Sequence, residues 1–326
     1  MGLRNSSEIA YERLTRVFGD MQKNRRICRQ ADALIVGGQT FESLLQNLRE
    51  VFKRLQKCGM TIKPSKLIIC PKKTVLFGWE FSEQAWRPSP HKINPLLTAA
   101  QPNTVKQLRS WLGASKQLSS VLVDYAKVFK PLEKTSAGKS SGDISTWTEE
   151  ETKHFHFTNA KSALKDVKSI QYPMPEDQIN TFSDFSQDSC YVGGRLEFTG
   201  VQSDGPSKTY HGGFFSACLN NNQIRWLPCE VECLGVKLVL DHFWPILQES
   251  KKTLIHNCDN LPTVLAYERL IQGKFSMSSR IVAFLTTVNM YDVILIHRAG
   301  KDIALTDYIS RQLIKCSEKG VKHATL

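Results

Sequence analysis

Residues 179–185, INTFSDF, open a run of short apolar segments and carry an acid, Asp184, near their end. The texture that starts there decides the fold. CYVGGRLEF (190–198) and YHGGFFSACL (210–219) read as two further strands, and Pro228 to Leu247 as a helix. TLIHNCD (253–259) is a fourth strand, followed by helices over about 261–272 and 278–289. YDVILIH (291–297) is a fifth strand, and a last helix is expected around 304–312. The order β-β-β-α-β-α-α-β-α predicts an α/β (α+β) fold, a mixed five-stranded sheet with helices packed on it.

The acids of this section fall at element boundaries. Asp184 ends the first strand, Asp259 directly follows the fourth, and Asp307 opens the last helix, while Glu232 lies in the first turns of the long helix. Strand and helix ends meet along one edge of such a sheet, where four carboxylates would repel and raise one another's pKa values. Divalent cations with oxygen ligands remove that cost, and paired ions about 4 Å apart drive phosphodiester hydrolysis. An acid at a helix start also complements the helix dipole, which would account for Asp307 or Glu232 taken singly. His297 ends the fifth strand ten residues before Asp307, where a ring can move protons or serve only packing.

Working outward, CRQADALIVGG (28–38) reads as a β-hairpin with Asp32 near its tip, after a helix over about 8–21. Thr40 is placed to cap a helix that ends near Gly59; Ile62–Ile69 and Thr74–Ser82 read as strands. Thr104 and Gln107 form a capping box ahead of the stripe Val105, Leu108, Leu112 and Leu122, with Lys106, Arg109 and Lys116 as the polar complement. Thr148 is expected to cap a further helix carrying Phe157, Ala160, Leu164 and Val167 on one face.

The net charge of +12 is unevenly placed. Residues 1–178 hold 28 Lys and Arg against 17 Asp and Glu, whereas 179–312 hold 12 against 13. A basic front half suits a polyanion such as nucleic acid, though cations on a solvated face also serve solubility. The nine Cys include no C-x-x-C pair and predict reduced thiols in an intracellular protein. No apolar run reaches membrane-spanning length, so no membrane partner is expected.

The motifs resemble the Pol polyproteins of long-terminal-repeat retrotransposons of the gypsy and Bel/Pao type, over about residues 1–312. GLRNSSEIAYERL is similar to the family's GLxNSPxxFQRL, and QADALIVGGQT to its polymerase Y-x-D-D hairpin. VLFGWEFS resembles the primer-grip hairpin, SPHKINPL with TVKQLRSWLGASKQLSSVL and KPLEKT the thumb, and TWTEEETKHFHFTNAKSAL the connection. SDFS, LPCEVECLGV, NCDN and HRAGKDIALTDYISR resemble the ribonuclease H signature. The resemblance implies a partial reverse transcriptase palm with primer grip over 1–87, a thumb over 88–146, a connection over 147–178, ribonuclease H over 179–312 and a tail over 313–326. It implies Asp184, Glu232, Asp259 and Asp307 as ligands of two Mg²⁺ or Mn²⁺ ions, with His297 beside them and Glu230 the lesser candidate of the E-x-E pair.

Asp32 is implied to be a polymerase remnant. Gln30 and Ala33 replace the motif's usual aromatic or aliphatic residue and its second Asp, and the fingers and first half of the palm are expected to be absent. DNA synthesis is therefore not expected. The expected activity is hydrolysis of the RNA strand of RNA–DNA hybrids, with Lys106, Arg109 and Lys116 gripping nucleic acid and the chain belonging to a larger polyprotein. The alternatives are a decayed or domesticated fragment that binds nucleic acid without catalysis, and an unstable product whose palm leaves edge strands exposed.

Overall fold

The computed structural model describes residues 6–30, 33–83, 85–123, 125–140, 142–143, 150–186, 190–200, 207–248, 252–274 and 278–299. Asp32, Asp307, the cap expected at Thr148 and the helix expected at 304–312 lie outside the described residues. The chain divides into two units, Met1–Pro71 and Lys72–Leu326.

In the first unit, α1 (Ser6–Lys23) leads into the antiparallel pair β1 (Ile27–Gln30) and β2 (Ala33–Val36), which is followed by α2 (Phe41–Lys57). Thr40 caps α2 with a reciprocal bond to Ser43. Phe18, Met21, Ile27, Val51 and Leu55 form the core. Several cations of this basic stretch bond within the unit. Arg26 donates to Asn47 at 2.6 Å, and Arg29 donates to the Tyr11 carbonyl and stacks over its ring. Arg54 pairs with Asp20 and Glu50.

The strand expected at Ile62–Ile69 is not formed. Pro64 starts a single 3₁₀ turn over Pro64–Lys66, and Ile68 and Ile69 stand 63% and 61% exposed. Proline has no N–H for a ladder and fixes its φ, and no strand among the described residues pairs with this segment.

The second unit opens on β3 (Lys73–Leu76), β4 (Trp79–Ser82) and β5 (Ala85–Pro88). The single strand read over 74–82 is a hairpin: Phe77 and Gly78 both take positive φ, 52° and 80°, the geometry of a two-residue turn whose twist suits the flanking strands. Helices α3 (Pro90–Thr98), α4 (Val105–Lys116), α5 (Tyr125–Ser136) and α6 (Glu150–Lys165) follow, and β6 (Ile170–Gln171) returns to pair with β5. The capping box of α4 forms as its sequence predicts, Gln107 accepting from Thr104 N–H and Thr104 from Gln107 N–H. Leu122, expected in the stripe of α4, lies past the helix end and joins the core from a separate 3₁₀ turn. Leu108, Trp111, Phe129, Leu132, Phe157 and Leu164 fill this core, each contributing about 1.5–3 kcal/mol by burial.

The remaining chain forms β7 (Gln178–Ser186), β8 (Tyr191–Gly200), β9 (Lys208–Cys218), α7 (Pro228–Leu247), β10 (Leu254–Cys258), α8 (Leu261–Ile271), α9 (Ser279–Val288) and β11 (Val293–His297). The sheet order is β11-β10-β7-β8-β9; β10 runs parallel to β7 and β11, while β8 is antiparallel to β7 and β9. The predicted mixed sheet and its five strands are present. Val236, Val239, Leu240 and Phe243 of α7 pack on Leu196, Phe198, Leu254 and Leu295, with α8 and α9 closing the core. Gly194 lets the helix approach, because a Cβ there would lie 2.4 Å from Val239 Cγ2 and 3.2 Å from the Phe182 carbonyl.

Candidate active site

Register dictates where the acids go. Ser183, Cys258 and His297 are neighbours across the parallel strands β7, β10 and β11, so the residues that follow them, Asp184, Asp259 and Arg298, leave at one sheet edge. Asn260 fixes the exit of the chain from β10, its side chain accepting from Thr263 N–H at 3.0 Å to cap α8. Pro228 starts α7 at the same edge, and Glu232, one turn in, is buried.

Asp184 is wholly buried and Glu232 is 5% exposed, while Asp259 lies half-buried at the rim. Burial, then the charges of Asp184 and Asp259, push the Glu232 carboxyl well above the usual carboxylate range, while the Phe185 N–H donates to it. Its Oε2 atom is buried and has no hydrogen-bond partner. Three carboxylates around an unsatisfied buried oxygen fit a hard divalent cation.

Glu230 goes elsewhere. It accepts from Ser278 Oγ at 2.7 Å and Arg280 at 3.2 Å, and its Oε2 accepts from Leu227 N–H at the start of α7. The Ser278 bond leads the effects that hold its pKa below the usual value. His297 is exposed, and its Nε2 lies 3.1 Å from the Asp259 carbonyl. A carbonyl only accepts, so the Nε2–H is the donor in this bond.

Two features were missed from sequence. Cys258 is buried with its sulfur near the acids: one donor atom each from Glu232, Cys258 and Asp259 lie within 4.8 Å of one another. Burial, then Glu232, raise its thiol pKa well above the usual value. His256, also buried, bonds Thr181 Oγ1 and Ser183 Oγ, each at 2.9 Å, and burial lowers its pKa to about 3. With the Thr181 hydroxyl directed at the Ile255 carbonyl, Nδ1 donates and Nε2 accepts from Ser183.

The thumb cations separate by role. The Arg109 guanidinium bonds the Ser136 and Lys139 carbonyls at 2.8 and 2.7 Å, tying down the end of α5. Lys106 and Lys116 are exposed. Lys116 lines a cleft of about 240 Å³ with Tyr125, Lys130 and His242. Lys130 also lines a larger groove of about 680 Å³ with Lys134, Tyr191 and the loop 220–222. Tyr191 pairs with both Ser186 and Cys218, which places this groove at the same sheet edge as the acids. Lys130 and Lys134 stand in KPLEKT, a stretch whose motif gave them away only as thumb sequence.

No helix among the described residues is long and apolar enough to cross a membrane. No family model matches the chain. The chain is 23% identical over 319 residues to the retrovirus-related Pol polyprotein from transposon opus of Drosophila melanogaster, an overlap of 95% of this chain and 30% of that protein. It is 20% identical over 235 residues to the transposon Tf2-7 polyprotein of Schizosaccharomyces pombe, covering 72% of this chain and 17% of the polyprotein. The chain thus spans less than a third of the length of these curated relatives. Among solved structures, the foamy viral protease-reverse transcriptase in complex with RNA/DNA hybrid superposes with a TM-score of 0.71 at 15% identity, over 100% of this chain and 41% of that one. The same protein in complex with dsDNA gives 0.68 at 16%, over 91% and 59%. The structural likeness establishes a shared fold, and the sequence likeness is to the retrotransposon Pol polyproteins that its motifs resemble.

Proposed function

We propose that the chain carries a ribonuclease H activity that hydrolyses the RNA strand of RNA–DNA hybrids. The observation that carries this reading is the meeting of Asp184, Glu232 and Asp259, from two strands and a helix, around a buried carboxylate oxygen without a partner. These three, with Asp307 as the fourth ligand, would hold Mg²⁺ or Mn²⁺. Two such ions supply an activated water and stabilise the leaving 3′-oxygen. The protein's own part is orientation and proton movement. The Phe185 N–H and the α7 backbone fix Glu232, and the β10–α8 junction fixes Asp259. His297, its Nε2–H held by the Asp259 carbonyl, offers Nδ1 at the mouth of the site to carry a proton.

The groove at the same edge, with Lys130 and Lys134, supports hybrid binding through backbone phosphates, and Lys116 lines the adjoining cleft, while Lys106 stands exposed on α4. The structures that share this fold include one whose protein is bound to RNA/DNA hybrid. Purified chain with Mg²⁺ is expected to cut the RNA of a labelled hybrid, and Asp259→Asn to abolish cutting. Wild-type chain that retains hybrid without ever cutting it would overturn this reading. That outcome would select the second one, a binding-only role, which Ala33 favours by standing where the polymerase motif has its second Asp.

A further inference from the structure

We propose that Glu232, Cys258 and Asp259 form a site for a thiophilic divalent cation, Zn²⁺ by chemistry, that competes with Mg²⁺ for the acidic cluster. The inference rests on reading that cluster as a cation site and names a regulator of it. The sulfur is part of the site by position. Cys258 is the last residue of β10, held by ladders on both sides against Ser183 and His297, and the Asn260 N–H lies 3.4 Å from its Sγ. One donor atom from each of the three side chains lies within 4.8 Å of the others. Glu232, 5% exposed, contributes an oxygen with no hydrogen-bond partner, which a cation would satisfy.

The donor set discriminates between metals. Mg²⁺ takes hard oxygens and gains nothing from a sulfur, whereas Zn²⁺ binds thiolate at about 2.3 Å and carboxylate at about 2.0–2.2 Å. Donors around a tetrahedral Zn²⁺ stand roughly 3.3–3.8 Å apart, so rotamer shifts of about 1 Å close the site. The thiol proton passes to solvent as the Zn–S bond forms. An ion seated there occupies two carboxylates needed for Mg²⁺, so micromolar-range binding would act as an off switch.

The test uses full-length chain and Cd²⁺, whose thiolate complexes absorb in the ultraviolet. The wild type should develop a saturable sulfur-to-Cd²⁺ charge-transfer band that Zn²⁺ displaces. Cys258→Ser and Cys258→Thr should lose it. Glu232→Gln and Asp259→Asn should weaken Cd²⁺ binding at least about tenfold, since even the loss of an outer partner costs roughly 10–100-fold in metal affinity. A wild type without the band, or a band unchanged in either Cys258 variant, overturns the proposal. Should both Cys258 variants fail to fold by circular dichroism, Glu232→Gln decides: unchanged Cd²⁺ affinity overturns the site, and a tenfold loss supports it. Hybrid cleavage in Mg²⁺ with zinc chelated scores the ribonuclease reading separately. Cd²⁺ bound through Cys258 by a chain that never cuts would keep this site and remove that activity.

Discussion

Glu230 and Glu232 are two residues apart on one helix yet meet opposite surroundings. Glu230 is held by Ser278 and Arg280, and Glu232 is buried against the charges of Asp184 and Asp259. Substitutions at the two positions are therefore expected to move stability in opposite directions.

Glu232→Gln removes like-charge repulsion, so in EDTA the variant should be more stable than the wild type by on the order of 1 kcal/mol, while hybrid cleavage is lost. Added Mg²⁺ should raise the melting temperature of the wild type and barely move the variant. Glu230→Ala loses the bonds at the start of α7 and should cost about 1–2 kcal/mol, with cleavage retained by the folded fraction. Thermal melts with and without Mg²⁺, beside a cleavage assay, check all three statements. Equal behaviour of the two variants would contradict the assignment of Glu232 over Glu230.

His256 makes the sheet acid-sensitive. Its folded-state pKa of about 3 lies below the ordinary 6.5, so the native state binds fewer protons than the unfolded chain between those values. The stabilisation is present above about pH 6.5 and is lost as the pH falls from there towards 3, at up to about 1.4 kcal/mol per pH unit. Denaturant melts should show His256→Gln less stable than wild type near neutrality but with a shallower loss between about pH 6.5 and 4. Parallel slopes for the two proteins would mean that His256 titrates normally.

For the basic groove, Lys130→Ala and Lys134→Ala should each weaken hybrid binding uniformly across sequences. Each should also lower the slope of log affinity against log salt by about one, as read by fluorescence anisotropy. Arg109→Ala acts differently: losing its two carbonyl partners should destabilise the fold by about 1–2 kcal/mol and leave the salt slope of the folded protein unchanged. A slope that falls by one in Arg109→Ala would move that residue back to the phosphate surface.

Gly194→Ala inserts a methyl 2.4 Å from Val239 Cγ2, against a strand that cannot yield because the Phe182 carbonyl is 3.2 Å away. The expected cost is about 1–3 kcal/mol, with Val239→Ala in the same chain restoring part of it. A neutral single variant in urea melts would show that α7 rides more loosely on the sheet than its packing implies.

Much of this was legible in the sequence because the informative signals are local. Thr104 and Gln107 cap α4 as their spacing requires, and the strand-like runs from INTFSDF to YDVILIH are all strands of one sheet. Failures came where partners decide. Ile62–Ile69 has strand composition but pairs with no strand among the described residues, and Phe77-Gly78 turns the chain inside what reads as one strand. The motif already preferred Glu232 to Glu230, but the partners that hold Glu230, Ser278 and Arg280, are distant in the chain. Cys258 was missed because nothing local reports how close its sulfur comes to Glu232.

Two adjacent phenylalanines of β9 tie the five-stranded sheet to what precedes it in the chain. Phe214 belongs to the core built by α4, α5 and α6, whereas Phe215 packs on the core beneath α7. The Ser216 hydroxyl also accepts from Ala126 N–H at 2.8 Å, joining the start of α5 to the same strand. A fragment cut at residue 179 would leave Phe214 facing water on an edge strand, a surface that invites self-association. The minimal piece that can be handled alone therefore begins with the hairpin at Lys73, and proteolytic trimming should stop there rather than at the first strand of the sheet.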